Sequence, residues 1–505
     1  MRAALGQRRA AGAAEWWPRT LALAVFAAAL WAQADALVGV FYDDGVYVAL
    51  AKALAEGEGY RNIHLPQAPP AVHYPILYPF VLSLAWRLWP SFPANTALFE
   101  LLDAAFLAGA AWIVARHAMR WSSRWARFAM LPAGFLAYPL LAAVGVRFSE
   151  PLFLFLLAGA VCVADRTSVS PRVAFAAGLL AALAALTRSI GLAAVAGIPL
   201  SLWLRGARRG AVWALVPAAL MLTPWFLWVA VRGSEIDPRI AANYGTYGQY
   251  VAQAGLGALI AGLDLSGFAP LARLVLPPLP AALWLPAAIT VVALALWGAV
   301  KSYGRAPALV LTLLFYGAVV TLWPFAPDRF VWIVLPWIFL FLAAGGADLA
   351  ARGRAGRVAV AVVVLLALAG YGRTEAISLW NRGFSASAEG ISRTLGWVVP
   401  PVVAETPPDA VIASPDEALI YLYTGRRAVP AYLFRREGRE ANVPILQHEA
   451  REFLCQSGVT HAVVSGPGAD EAAVVAGLGR RPDVSLQPVF SITDGAALYR
   501  FRCRD

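Results

Sequence analysis

Two adjacent carboxylates, Asp43 and Asp44, stand just beyond the first long apolar run, in the stretch FYDDGVYVALAKALAEGEGY at residues 41–60. A charge at the mouth of a membrane span is costly to bury unpaired, so the pair needs a reason to be there. One reason is structural. Val46, Ala49, Leu50, Ala53 and Leu54 share one helical face directly after the pair, and Gly57 and Gly59 stop it, so an Asp here can cap a helix. The other reason is chemical. A carboxylate held at the membrane surface can take the proton from an incoming hydroxyl. Further ionisable residues stand near the apolar runs: His64, His73, Arg147, Glu150, Arg188, Asp328 and Arg329. Arginine beside such a carboxylate suits a departing phosphate, whose charge a guanidinium neutralises. Plainer readings remain open: Glu150 as a helix cap, Arg329 as a snorkelling interface residue. His64 and His73 could join a carboxylate around a divalent metal, or make ordinary polar contacts in their Pro-rich loop.

The elements that must position these residues are mostly membrane helices. The chain has 505 residues, 60% of them hydrophobic and only 14% charged, which is the composition of a polytopic membrane protein with a mainly α fold. Its net charge of +11 does not point to nucleic acid, because the arginines sit in short clusters between apolar runs, where orientation rules place them in the cytoplasm. The three cysteines, Cys162, Cys455 and Cys503, have no metal-ligand spacing.

A basic leader with Arg2, Arg8, Arg9 and Arg19 precedes the first apolar run, Leu21 to Val40. Ala32, Ala34 and Asp35 imitate a signal-peptidase site, but apolar character resumes at Ala36, so an uncleaved anchor is expected. The segment from Tyr74 to Trp89 is apolar yet Pro-rich. If it crossed, the loop carrying Arg116, Arg120, Arg124 and Arg127 would face outward, so it is expected to lie along the outer surface as a juxtamembrane helix. Downstream runs then alternate to give about eleven spans, with the N-terminus cytoplasmic and the C-terminus outside. A long outer loop from Arg232 to about Leu274 carries Tyr244, Tyr247, Gln249 and Tyr250. Residues 1–371 make the transmembrane domain. Residues 372–505 turn mixed in composition and read as a small α/β domain outside the membrane, with strands at 411–414, 461–465, 484–491 and 496–502. Cys455 and Cys503 both fall in it, on the side where pairing is permitted, although spacing alone cannot establish a bridge.

Four pieces, in order, resemble the integral-membrane glycosyltransferases of the GT-C type. The resemblance is especially to the bacterial branch related to protein O-mannosyltransferases and to the aminoarabinose transferase acting on lipid A. FYDDGVYVALAKALAEGEGY resembles the acidic first outer loop, and HYPILYPFVLSLAWRLWP (73–90) the juxtamembrane segment. RFSEPLFLFL (147–156) resembles the second outer acidic motif, though with Ser149-Glu150 in place of a full acid-x-acid pair; DRFVWIVLPWIFLFL (328–342) resembles a late Arg-bearing span start. TGRRAVP (424–430), in the terminal domain, resembles the outer domain that many such enzymes carry. The resemblance implies a plasma-membrane enzyme that transfers a sugar, with inversion, from a polyprenyl-phosphate donor to a hydroxyl on protein, lipid or glycan. It places the catalytic base at either acid of the doublet; Asp43 is taken as the base, with Asp44 orienting it or contacting a metal, and Glu150 and Arg329, then Arg188 and Arg147, are its site partners. No cofactor is certain; a divalent metal is an open option. Two other readings stay open: a lipid or polysaccharide transporter, and a polymerase or ligase that uses a diphosphate-linked donor. The transporter reading fits less well, because the apolar runs hold few acids and the charges sit at their edges.

Overall fold

The computed structural model describes residues 2–249, 255, 257, 269–322, 328–437, 441–466, 469–491 and 496–504. Tyr250 lies outside the described residues, as does the far end of the run expected from Ala308 to Phe325. The chain divides into two compact units, each assembled from separated pieces. One comprises Met1–Gln33, Glu100–Pro224 and Leu263–Ser385; the other comprises Ala34–Phe99, Trp225–Gly262 and Ala386–Asp505.

The first unit is helical throughout its described residues. Among these, four helices of the chain are long and apolar enough to cross a membrane, in Thr96–Ala118, Arg208–Glu235, Ala282–Ser302 and Arg354–Trp380. A bent pair, Arg124–Phe135 and Tyr138–Gly145, makes a fifth if counted as one span. Six more apolar helices are shorter, among them Glu150–Ala164, Pro171–Thr187 and Leu335–Ala351. The expected count of about eleven requires several of these to cross as tilted or partial spans, which apolar side chains buried in protein permit. Only 22%, 17% and 11% of the apolar windows of the last three long helices are buried, so they present wide apolar faces outward, as lipid contact demands. Helices close on one another where side chains vanish. Gly298, on Ala281–Ser302, faces Leu335–Ala351 so closely that an added Cβ would lie 1.8 Å from the Phe341 carbonyl oxygen. Gly345 makes the reciprocal approach to Leu294. This is the small-residue packing that substitutes for hydrophobic drive in lipid.

Two boundaries differ from the sequence reading. The first apolar run is helical only to Trp31, and Gly39 to Phe41 lie in turns, so this helix stops well short of Val40. The compositional shift at Gly372 falls inside one continuous helix, Arg354–Trp380, which passes through a π turn at Leu368–Gly372. Composition changed there because the helix becomes polar, while the backbone continues.

The second unit is built on a five-stranded sheet in the order β2-β1-β5-β7-β6. Its strands are β1 (Val411–Ser414), β2 (Arg427–Pro430), β5 (His461–Val464), β6 (Val484–Ser491) and β7 (Ala497–Cys503); β3 (Phe434–Glu437) and β4 (Ala441–Pro444) form a separate hairpin. β1 runs parallel to β2 and β5, whereas β7 is antiparallel to β5 and β6. Strands β1, β5, β6 and β7 fall where alternation predicts them. β2 lies in TGRRAVP, where two arginines and a proline mask the pattern. The sheet's core is not confined to the C-terminal stretch. Leu65, Val72, Ile236, Ile240 and Tyr244 pack with Ala413, Val429, Phe453 and Phe501 in one cluster. Ala428, on β2, donates its backbone N–H to the His64 carbonyl at 2.8 Å. Cys455 and Cys503 are bridged, their Cα atoms 6.0 Å apart, while Cys162 is free.

The segment Leu77–Leu88 is a helix of 12 residues with Tyr78, Leu82 and Trp86 buried against the same unit. At 1.5 Å per residue it spans about 18 Å, too short to cross a bilayer core of about 30 Å.

Candidate active site

The helix Asp43–Glu56 begins at the acidic pair, but neither acid caps it in the ordinary way; Tyr42 occupies the cap position at φ +65°. Asp44 instead turns its carboxylate back over the preceding turn. Its Oδ2 accepts from the Gly39 N–H at 2.6 Å and its Oδ1 from the Phe41 N–H at 3.0 Å, and the residue is fully buried. The turn must be tight for this to happen. Gly39 has φ +103°, which favours glycine, and a Cβ there would stand 2.7 Å from the Leu419 Cβ. A Cβ on Gly45 would stand 2.8 Å from the Gly39 Cα. Asp44 is therefore a buried tie between two backbone donors. Asp43 is half-buried, and its Oδ1 accepts from the Tyr74 hydroxyl at 2.6 Å. Burial and the neighbouring Asp43 charge push the Tyr74 phenol well above its ordinary range, so it stays a donor. Of the acidic pair, the fold ties Asp44 to backbone donors in full burial and leaves Asp43 half-buried on the Tyr74 hydroxyl.

His73 lies next in this cluster. Its Nδ1 bonds the Gly245 carbonyl at 2.8 Å, its ring meets Tyr74 and Tyr247, and burial pulls its pKa down. His64 is fully buried, with Nε2 at 2.8 Å from the Tyr244 hydroxyl. Tyr244 donates its own proton to the buried Glu417 carboxylate, so its oxygen accepts from His64. Burial drives His64 down to about 3 and Glu417 up to about 7. This His64–Tyr244–Glu417 line was not legible in the sequence. The only signal was a carboxylate followed by the apolar residues of a helix, which reads equally well as a cap.

The first unit holds the second acidic motif. Glu150 is fully buried at the first turn of Glu150–Ala164. Arg188 Nη1 lies 2.9 Å from its Oε2, and Arg329 lies 2.8 Å through Nε and 2.7 Å through Nη2 from its Oε1. Arg188 also donates to Ser149 Oγ at 3.1 Å, and Arg329 lies 3.7 Å over the Phe148 ring. The two guanidiniums face one carboxylate, so the cluster carries a net positive charge; Arg329 is its more exposed member, with 30% of its side chain accessible. Arg147 is not part of it. It is buried at φ +55° and paired with Glu100, so its charge is already neutralised.

The residues do not fit a metal. Among the described residues no group of three or more His, Cys, Asp or Glu could hold an ion. His64 and His73 each spend a ring nitrogen on a protein partner, Asp44 is occupied by backbone N–H groups, and Glu150 by arginine.

No protein-family model and no curated protein matches the chain. Solved structures do. ArnT from Cupriavidus metallidurans bound to undecaprenyl phosphate aligns at TM-score 0.54 and 15% identity, over 95% of this chain and 97% of that one. The apo state of the same protein aligns at 0.54 and 17%, over 97% and 98%. The archaeal oligosaccharyltransferase AglB from Archaeoglobus fulgidus, in complex with an inhibitory peptide and a dolichol-phosphate, aligns at 0.52 and 12%, over 89% and 69%. At these identities the likeness is one of architecture, and it extends over nearly the whole chain. The chain has the fold of the GT-C integral-membrane glycosyltransferases.

Proposed function

We propose that the protein is a membrane glycosyltransferase that moves a sugar from a polyprenyl-phosphate donor to a hydroxyl acceptor, with inversion, on the outer face of the membrane. The observation that carries this reading is the unequal placement of the acidic pair within a GT-C fold: Asp43 is the half-exposed carboxylate, oriented by a phenol, while Asp44 is consumed by backbone. Asp43 accepts the proton of the acceptor hydroxyl as its oxygen attacks the anomeric carbon. The bond from that carbon to the phosphate oxygen breaks, and polyprenyl phosphate leaves carrying the electron pair. In the other unit, Glu150 holds the Arg188 and Arg329 guanidiniums together as a cationic cluster of the kind that neutralises a phosphate. The donor's prenyl chain would sit in lipid or in apolar protein surface.

The test is incubation of membranes containing the protein with radiolabelled undecaprenyl-phosphate sugars, following which product gains label. Asp43→Asn keeps the size of the side chain and removes the proton acceptor. Turnover should fall by about 100-fold or more, the scale of a positioned general base, at unchanged expression. Unaltered turnover in Asp43→Asn, or no transfer from any polyprenyl-phosphate sugar, would refute the reading.

A further inference from the structure

The geometry points to Tyr74 as a positioning residue that holds the Asp43 carboxylate in one rotamer through Oδ1. This inference rests on the role proposed for Asp43 and adds a residue to it. A half-buried aspartate on the first turn of a helix has several rotamers open to it, whereas a general base works only when held close to the proton it takes. Tyr74 is built to supply that restraint. It is 9% exposed, and its hydroxyl donates to Asp43 at 2.6 Å. Its ring meets Tyr47 edge-on, with centroids 4.8 Å apart, and Tyr47 lies one turn along the helix that Asp43 begins. Its own carbonyl accepts from the buried Tyr60 hydroxyl at 2.8 Å. Pro75 follows and restricts the Tyr74 backbone to extended conformations. The phenol is thus fixed at its backbone, ring and hydroxyl, and the carboxylate at the end of the chain inherits that order. A donor on Oδ1 also favours the ionised carboxylate, the form that can accept a proton.

Tyr74→Phe removes only the hydroxyl. With the undecaprenyl-phosphate sugar that labels product in membranes of the unaltered protein, kcat should fall by about 10- to 100-fold, the scale of a lost hydrogen bond to a charged group, with KM for the donor changed by less than about twofold. The acid limb of the kcat profile should move to higher pH. Adding Tyr74→Phe to Asp43→Asn should cost nothing further, because the hydroxyl then has no base to position. Wild-type kcat and pH profile in Tyr74→Phe would overturn the proposal. So would an equal loss in the Asp43→Asn background, or failure of the protein to accumulate after a change that keeps the ring, since each makes the hydroxyl a structural tie. If Asp43→Asn itself is fully active, the glycosyltransferase reading fails; if it is inactive while Tyr74→Phe is normal, only the role of Tyr74 fails.

Discussion

Replacing Glu417 by Gln should change the pH dependence of stability in a calculable way. Glu417 is fully buried beneath Tyr244, and burial raises its pKa from 4.5 to about 7. A carboxyl whose folded pKa lies above its unfolded value stabilises the fold fully below 4.5, and that contribution is lost as pH rises through about 7. The rise is worth about 3 kcal/mol, at about 1.4 kcal/mol per decade of proton affinity. His64, in the same line, works in the opposite direction. Burial lowers it from 6.5 to about 3, so its stability is present above 6.5 and lost as pH falls toward 3. Between 4.5 and 6.5 the two slopes oppose and nearly cancel in the native protein. Glutamine cannot titrate, so Glu417→Gln uncovers the histidine slope, and stability should climb with pH by about 1.4 kcal/mol per pH unit across that window. The assay is denaturant unfolding of the detergent-solubilised protein, read by tryptophan fluorescence, for parent and variant at about pH 5 and about pH 8. The stability difference between them should shift by about 3 kcal/mol in favour of the variant at the higher pH. A difference that is the same at both pH values would refute the reasoning, because it would mean that Glu417 is already ionised in the folded state at low pH.

Asp44→Asn should damage folding more than chemistry. The amide offers one acceptor where two backbone N–H groups need one each, so about 1–3 kcal/mol of stability is lost, while turnover per folded molecule falls far less than in Asp43→Asn. Equal catalytic loss in the two variants, at equal stability, would contradict the division of roles. The bridge between Cys455 and Cys503 predicts a mobility shift on reduction in a denaturing gel that disappears in Cys503→Ser; no shift in the parent would mean free thiols. Single cysteines at Arg124 and Arg480, both exposed, should be labelled from the cytoplasm and from outside respectively in a background lacking Cys162. Labelling from the same side would overturn the surface placement of Leu77–Leu88.

Local pattern carried much of this protein. The helix after the acidic pair, the helices Thr96–Ala118 and Pro171–Thr187, and strands β1, β5, β6 and β7 all follow from periodicity and breakers within a few residues of themselves. So did the choice of Asp43, Glu150, Arg188 and Arg329 as residues worth explaining, because charge beside an apolar run is conspicuous. What each does depends on partners that no local window contains. Arg329 reaches Glu150 across 179 residues, and His64 reaches Tyr244 across 180. Arg147 stands three residues from Glu150, yet its backbone turns it to Glu100. The two acids of the pair are chemically identical in sequence; only the tight turn at Gly39 draws Asp44 inward and leaves Asp43 to Tyr74. The sheet, read as a terminal domain, takes part of its core from residues 65–72 and 236–244, because apolar burial is non-directional and recruits whatever the chain brings near. Sequence decided which residues are costly to bury; the tertiary structure decided where each cost is met, since hydrogen bonds and ion pairs are made at contact and contact is set by the fold.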